Sequence, residues 1–365
     1  MKLIKTISVL AILSAFSMSC AQREASKSEV SELRKTMTFN ETTYESEWES
    51  NFDSYEDFKN KWTPMVSWYN RDVNMSRKDA INTITAVDGI APNLKYAKND
   101  YFKFCMFSKS FMSVEDGVYT QIYSARREKN SEGGYNYIVN RPWMVSGEYN
   151  FGGERMRPFD GYLLKLDGRK KLIEAKFKMT ADDYYNNTYN FEFILGNKDY
   201  YHDNWDVNSR VVTTSEGWHM DEIDLFELTF GGNANTKEGI IVSNHPAGFT
   251  KDGKFAPNTD ACGTPLEFDS NLPRVKPDNI EEWFSQWHTA VVELDENGMT
   301  LYFDGKKIRD VNWSKKWGSV LPDVEWNIMP FMCPFGTWRS HPLDLDKGET
   351  CKLEIDYIRV HSEVK

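Results

Sequence analysis

The sequence predicts an all-β fold. Short runs of β-branched and aromatic residues alternate with polar ones, Gly, Asn and Asp separate the runs as turns, and long helical periodicity is scarce in a chain that is 14% aromatic. Many short strands with this punctuation argue for a sandwich or a barrel.

The chain opens outside that fold. Lys2 and Lys5 precede an apolar run from Ile7 to Met18, shorter than the roughly 20 residues needed to span a bilayer. The run ends at Ser17-Met18-Ser19-Cys20, which resembles a bacterial lipobox and makes residues 1–20 a signal peptide with Cys20 as the lipidated residue. A plain secretory signal cleaved nearby is the alternative, and both readings export the protein. No other stretch is apolar enough to cross a membrane. Residues 21–38 are polar and charged and read as a tether. The remaining stretch, 39–365, is long enough for a sizeable core and lacks repeats, low-complexity runs and Pro/Gly linkers, so one domain is expected.

Within it, Asp116-Gly117 turns the chain into Val118–Ser124. Leu172–Met179 and Tyr189–Leu195 alternate. Asn297-Gly298 joins Ala290–Leu294 to Met299–Phe303 as the strongest hairpin signal, and Asp304-Gly305 follows as a second turn. Leu353, Ile355 and Tyr357 alternate with acids in the last strand.

The chemistry concentrates in Glu222-Ile223-Asp224-Leu225-Phe226-Glu227. On a helix these acids share no face. On a regular strand Glu222 and Asp224 share one and Glu227 takes the other. One extra residue near Leu225 or Phe226, a β-bulge, restores the parity. Glu222 and Glu227 then behave as positions four apart, about 13 Å along the strand, and inward-reaching side chains close that to on the order of 5 Å. A retaining glycosidase needs its two carboxyls about 5–5.5 Å apart. With 55 acids in 365 residues, such a triplet arises about once by chance, and the three intervening apolar residues cut that roughly fifteenfold. A solvated strand face fits the same letters.

The segment resembles the bulged signature of glycoside hydrolase family 16, Glu-x-Asp-x-x-Glu. That resemblance implies Glu222 as nucleophile, Asp224 as assisting acid and Glu227 as acid/base. Glu227-Leu228-Thr229 is similar to the κ-carrageenase branch. Over roughly Asn51 to Val360, Trp143–Gly147, Leu172–Met179, Trp287-His288-Thr289, Tyr302–Gly305 and Ile355–Val360 resemble further family segments, in the family's order. The implied fold is a β-jelly-roll sandwich of two antiparallel sheets with a concave glycan-binding groove. One departure is that Ile194 sits where the family carries a tryptophan lining the donor side.

Sugar rings stack their C–H faces on aromatic side chains, and Trp143, Trp218 and Trp338 lie in segments the resemblance places near the groove; each is equally readable as core. Trp205 and Trp313 are anonymous. His245 follows a possible strand, Gly239–Asn244, just after the acid stretch, and is readable as hydrogen-bonding a sugar or the acid/base or, as a lone histidine more often is, as structural, whereas the odd parity of His219 turns it away from Glu222. Arg141, Arg155, Arg157, Arg210, Arg274 and Arg339 matter if the polymer is sulfated, because a guanidinium fork suits sulfate oxygens. Trp338-Arg339 is the best candidate pair. The net charge of −11 opposes anionic polymers at long range, but salt screens it beyond about 8–10 Å.

Cys105, Cys262, Cys333 and Cys351 permit two disulfides, with Cys333–Cys351 preferred. No Cys/His spacing suggests zinc. The chemistry requires no cofactor; the family's structural calcium would fall to Asp356 with oxygen donors from Asn51 to Asp57. Phosphate loops, nucleophile elbows and basic stripes are absent, so nucleotides and nucleic acids are unsupported as partners. The expectation is a lipid-anchored monomer with a polysaccharide as its partner, touching membrane through the anchor alone. As an endo-acting retaining hydrolase it would cut a red-algal galactan such as carrageenan, agarose or porphyran. The alternatives are a β-1,3-glucanase and a non-catalytic glycan-binding lipoprotein.

Overall fold

The computed structural model describes residues 36–64, 89–90, 94–95, 101–106, 112–140, 144–147, 149–151, 154–156, 158–181, 189–197, 219–230, 239–249, 255–257, 275, 278–312, 325–334 and 349–365, some of the strands as backbone alone. In chain order the strands are β1 (Thr36–Phe39), β2 (Thr42–Ser50), β3 (Thr63–Pro64), β4 (Gly89–Ile90), β5 (Leu94–Lys95), β6 (Tyr101–Met106), β7 (Met112–Glu115) and β8 (Val118–Lys129). Then come β9 (Tyr135–Asn140), β10 (Met144–Val145), β11 (Tyr149–Phe151), β12 (Glu154–Met156), β13 (Leu164–Lys165), β14 (Lys171–Ala181), β15 (Tyr189–Asn197) and β16 (His219–Phe230). The last are β17 (Gly239–Phe249), β18 (Phe255–Pro257), β19 (His288–Asp295), β20 (Gly298–Phe303), β21 (Lys306–Asn312), β22 (Glu325–Pro334) and β23 (Glu349–Glu363). Among the described residues two short helices, α1 (Tyr55–Lys61) and α2 (Ile280–Phe284), accompany them.

The strands form the jelly-roll-type sandwich expected. One large sheet runs β21-β20-β19-β14-β23-β8-β9-β6-β4 with β1, β2, β5 and β7 attached; the second runs β13-β22-β15-β16-β17-β18, and β3 with β10 and β11 with β12 form two-stranded pairs beside them. Every described pairing between strands is antiparallel except β6 with β9. The sheets meet through aromatic rings. Phe177 on β14 lies 5.1 Å from Phe191 on β15 and 5.6 Å from Phe226 on β16, and Phe303 on β20 closes on both Phe177 and Phe226. These four are at most 4% exposed, and burying each contributes about 1.5–3 kcal/mol. Alternation on β14 sets which residues go inward: Ile173, Ala175, Phe177 and Met179 are buried, while Glu174, Lys176 and Lys178 between them are not.

Thr36–Phe39 pairs with β2, and its Met37 and Phe39 pack on Tyr44, Leu172 and Val291. The hairpin at Asn297-Gly298 forms, but around the two-residue loop Glu296-Asn297, with Asp295 opposite Gly298. Neither Asn297 nor Gly298 has positive φ. The Asp295 carboxylate accepts from both their backbone N–H groups instead, and glycine is required because a Cβ at 298 would stand 2.2 Å from the Val311 carbonyl oxygen. Asp304-Gly305, with φ of 49° and 76°, is the turn that needs left-handed residues. Asp304 also accepts from His288 Nδ1 at 2.7 Å and from the Thr289 N–H at 2.9 Å, which latches that turn to β19.

At the far end of β14, Lys171 is fully buried, with its ammonium 2.8 Å from Glu47 and from Ser362 Oγ and 3.3 Å from Asp167. Burial pushes the Glu47 carboxyl up, yet hydrogen bonds from Lys171, Ser362 and Tyr162 hold it below its usual value of 4.5. A buried charge stripped of its partner is costly. Lys171→Ala should therefore lower stability by about 3–5 kcal/mol in urea unfolding at neutral pH. Glu47 binds its proton less readily when folded than when unfolded, so the network's contribution is present above about pH 4.5 and lost as pH falls through the depressed value. The gap between wild type and variant should narrow in acid.

Candidate active site

β16 carries the acid stretch, and its register against β15 contains the bulge. Glu227 stands opposite Glu192 and Phe226 opposite Phe193; the next partner of Ile194 is Asp224, so Leu225 is the unpaired extra residue. The β17 side agrees, with Glu227 across from Ile241 and Asp224 across from Ser243. The packing shows why the strand bulges here. Ile223, Leu225, Phe226 and Leu228 are all fully or almost fully buried in the core, and only an extra residue lets two successive apolar side chains turn inward without carrying the following acid with them. Phe226 stacks on Phe193 at 5.3 Å.

The face of the sheet away from the Phe177 cluster is then a grid of three rows across β22, β15, β16 and β17. The first is Phe331, Glu192, Glu227, Ile241. The second is Met329, Ile194, Asp224, Ser243. The third is Asn327, Gly196, Glu222, His245. Neighbours within a row sit about 4.8 Å apart and rows about 6.8 Å. No Lys or Arg occupies any of these positions. Asp224 is 1% exposed, Asn327 is equally buried, and Glu192 and Glu227 are half-buried. Gly196 gives the row of Glu222 a position without a side chain, between Asn327 and Glu222.

Chemically, this grid offers acids at opposite ends of a strand stretch about 13 Å long, with a buried carboxylate between them and a histidine position across from one end. Ser146 secures the sheet's flank: its hydroxyl donates to the Tyr162 carbonyl at 2.8 Å and accepts from the Ile328 N–H at 2.9 Å. Gly147 beside it has no room for a Cβ, which would come within 2.7 Å of both the Leu163 side chain and the Tyr162 carbonyl oxygen.

Of the residues singled out in the sequence, Glu222, Asp224, Glu227 and His245 come together on the grid; Glu222 and His245 are described by their backbone alone. Ile194 pairs with Asp224 in the second row. Trp143, Trp218, Trp338, Arg339 and Cys20 lie outside the described residues, as do Trp205, Trp313 and five of the six arginines; Arg155 is described on β12 as backbone. The reading of His219 needs correction. A second register shift, between Met220 and Glu222, makes Asp221 another extra residue, so His219 stands opposite Ala247, two places along β17 from His245. Positions 219 and 222 therefore share a face. Simple parity failed because it assumed one bulge where the strand has two.

Glu192 and Asn327 were missed as site residues. Glu192 was legible as the polar residue between Phe191 and Phe193, but its partner on β16 depended on where the bulge fell. Of the oxygen donors named for calcium, Asp356 binds Lys176 at 2.6 Å and the Asn51 side-chain amide oxygen accepts from Arg359 at 3.1 Å. Among the described residues, no group of three or more His, Cys, Asp or Glu could hold a metal ion. Cys351 is buried in the core on β23, while Cys333 lies on β22 of the other sheet, its side chain outside the described residues.

No protein-family model and no curated protein matches the chain. Among solved structures, it is similar to an endo-β-1,3-glucanase from Pyrococcus furiosus, with 14% identity, TM-score 0.48, and coverage of 91% of this chain and 99% of that one. It is also similar to the laminarinase catalytic domain from Thermotoga maritima, at 16% identity and TM-score 0.46 over 88% and 99% of the two chains. A third is a glycoside hydrolase family 16 endo-glucanase from Bacteroides ovatus, at 14% and 0.44 over 86% and 99%.

Proposed function

We propose that the protein is an endo-acting retaining glycoside hydrolase that cleaves internal β-linkages of a polysaccharide laid along the acid-bearing face of the six-stranded sheet. The register shift at Leu225 carries this reading, because it brings positions 222, 224 and 227 to one face of the sheet, as two carboxyls flanking one sugar bond must be. In the proposed reaction Glu222 attacks the anomeric carbon while Glu227 gives its proton to the leaving oxygen. Glu227 then takes a proton from water, whose oxygen displaces Glu222 from the sugar. Asp224, buried between them, would hold the nucleophile by a hydrogen bond, and His245 across from Glu222 would steady either the carboxylate or a sugar hydroxyl. Trp143, Trp218, Trp338 and Arg339 are proposed as stacking and anion-binding contacts, and the chain is proposed to be exported and lipidated at Cys20.

The substrate proposed is a red-algal galactan, sulfated or not, on the strength of the Glu227-Leu228-Thr229 flank. The test is incubation with κ-carrageenan, agarose, porphyran and laminarin followed by a reducing-end assay. New reducing ends from a galactan are expected. Release from laminarin alone would replace the galactan with a β-1,3-glucan, and binding without release from any polymer would overturn the hydrolase reading.

A further inference from the structure

Resting on that reading, we infer that Glu192 is a positioning residue for the proton donor: its carboxylate, directly across the strand pair from Glu227, keeps Glu227 protonated at neutral pH. The register makes Glu192 and Glu227 Cα partners, which sets their Cβ atoms about 4.5–5.5 Å apart on one face. That face is fixed on both strands. Phe191 and Phe193 flank Glu192 and are 1% exposed, while Phe226 and Leu228 flank Glu227 and are at most 2% exposed, all within the core. Both acids therefore leave the sheet on the side away from the core, and both are half-buried.

Two carboxylates at such a separation do not ionise independently; the negative charge of one disfavours loss of the proton from the other. The paired positions around Glu227 are Glu192 and Ile194 on β15 and Ile241 and Ser243 on β17, with Phe331 and Met329 on β22 one strand further out. Along β16 itself the next acid is Asp224, buried one row away. Glu192 is thus the acid nearest to Glu227 among the paired positions.

The proton balance follows. Glu227 enters the cycle as the acid and loses its proton to the leaving sugar oxygen as the glycosidic bond breaks. It is then a carboxylate facing Glu192, so its affinity for the water proton in the second half-reaction is raised. Glu192 neither gains nor loses a proton overall and touches no reacting atom in this scheme.

The test pairs a titration with kinetics. Uniformly carbon-13 glutamate-labelled protein is titrated by NMR, with Glu227→Gln used to assign the Glu227 carboxyl. In Glu192→Gln the Glu227 carboxyl should titrate at a pH lower by about one unit or more. On whichever polymer the wild type cleaves, the alkaline limb of the pH–rate profile should move to lower pH by the same amount, and Glu192→Asp should restore it. An unmoved titration and an unmoved limb in a folded Glu192→Gln variant would overturn the inference while leaving the hydrolase reading intact. A moved titration in a protein that cleaves no polymer would uphold the carboxylate pairing and overturn the hydrolysis.

Discussion

Glu222→Gln is expected to lose on the order of 10⁴-fold or more in turnover while binding its polysaccharide with near wild-type affinity. The amide has the shape of the carboxylate but neither its charge nor its nucleophilicity, so the interaction removed is one made only as the glycosyl bond forms; a transition-state interaction shows in kcat before it shows in ground-state binding. Calorimetric affinity for an oligosaccharide and reducing-end release measured on the same protein separate the two. Affinity and turnover falling together would make Glu222 a binding residue and hand the nucleophile to another acid of the grid. The variant is also expected to fold normally. Position 222 lies on the face away from the aromatic core, and its partners in the row are positions 196 and 245.

How much of this was legible from the letters depends on which periodicity each feature uses. β14 and β23 could be read directly because strict alternation fixes both the strand and its buried face. The acid strand could be read in part: Leu225-Phe226, two large apolar residues between two acids, demanded a bulge, and the register places it at Leu225. The shift at Asp221 has its own signature in the adjacent acids Asp221-Glu222 between Met220 and Ile223, and a parity count that passes over it misplaces His219. The Asn297-Gly298 signal found the right hairpin for the wrong local cause. Asn-Gly suggests left-handed residues, yet this glycine is needed for the close approach of the Val311 carbonyl from the third strand, a contact no local rule contains. Glu192 and Asn327 became visible only through pairing, since membership of a row is a property of three or four strands at once. The burial of Lys171 was likewise hidden. A lysine opening a strand reads as solvated until Glu47, Asp167 and Ser362, all distant or offset in sequence, are seen to converge on it.

The bulge itself can be tested by two single-residue deletions with opposite outcomes. Removing Leu225 leaves Ile223, Asp224, Phe226, Glu227 and Leu228 in plain alternation, with Phe226 still opposite Phe193 and Glu227 still opposite Glu192. The three acids stay on one face, now four positions apart without any irregularity. The cost is the loss of a fully buried leucine, about 2–5 kcal/mol of stability, and a displacement of the acids on the scale of 1 Å, for which turnover within about a hundredfold of wild type is expected. Removing Ile223 keeps the bulge but advances everything before it by one place. Position 222 then falls where a core residue belongs, a glutamate replaces an isoleucine that is 0% exposed, and the nucleophile leaves the reaction face. Hydrolysis should drop to background on every polymer, and the melting temperature should fall further than for the Leu225 deletion. Reducing-end assays with circular dichroism melts on both variants decide the matter. If the Leu225 deletion folds yet is as inactive as the Ile223 deletion, the extra residue does more than restore parity, and the spacing of Glu222 from Glu227 along a bulged strand would itself be what the chemistry requires.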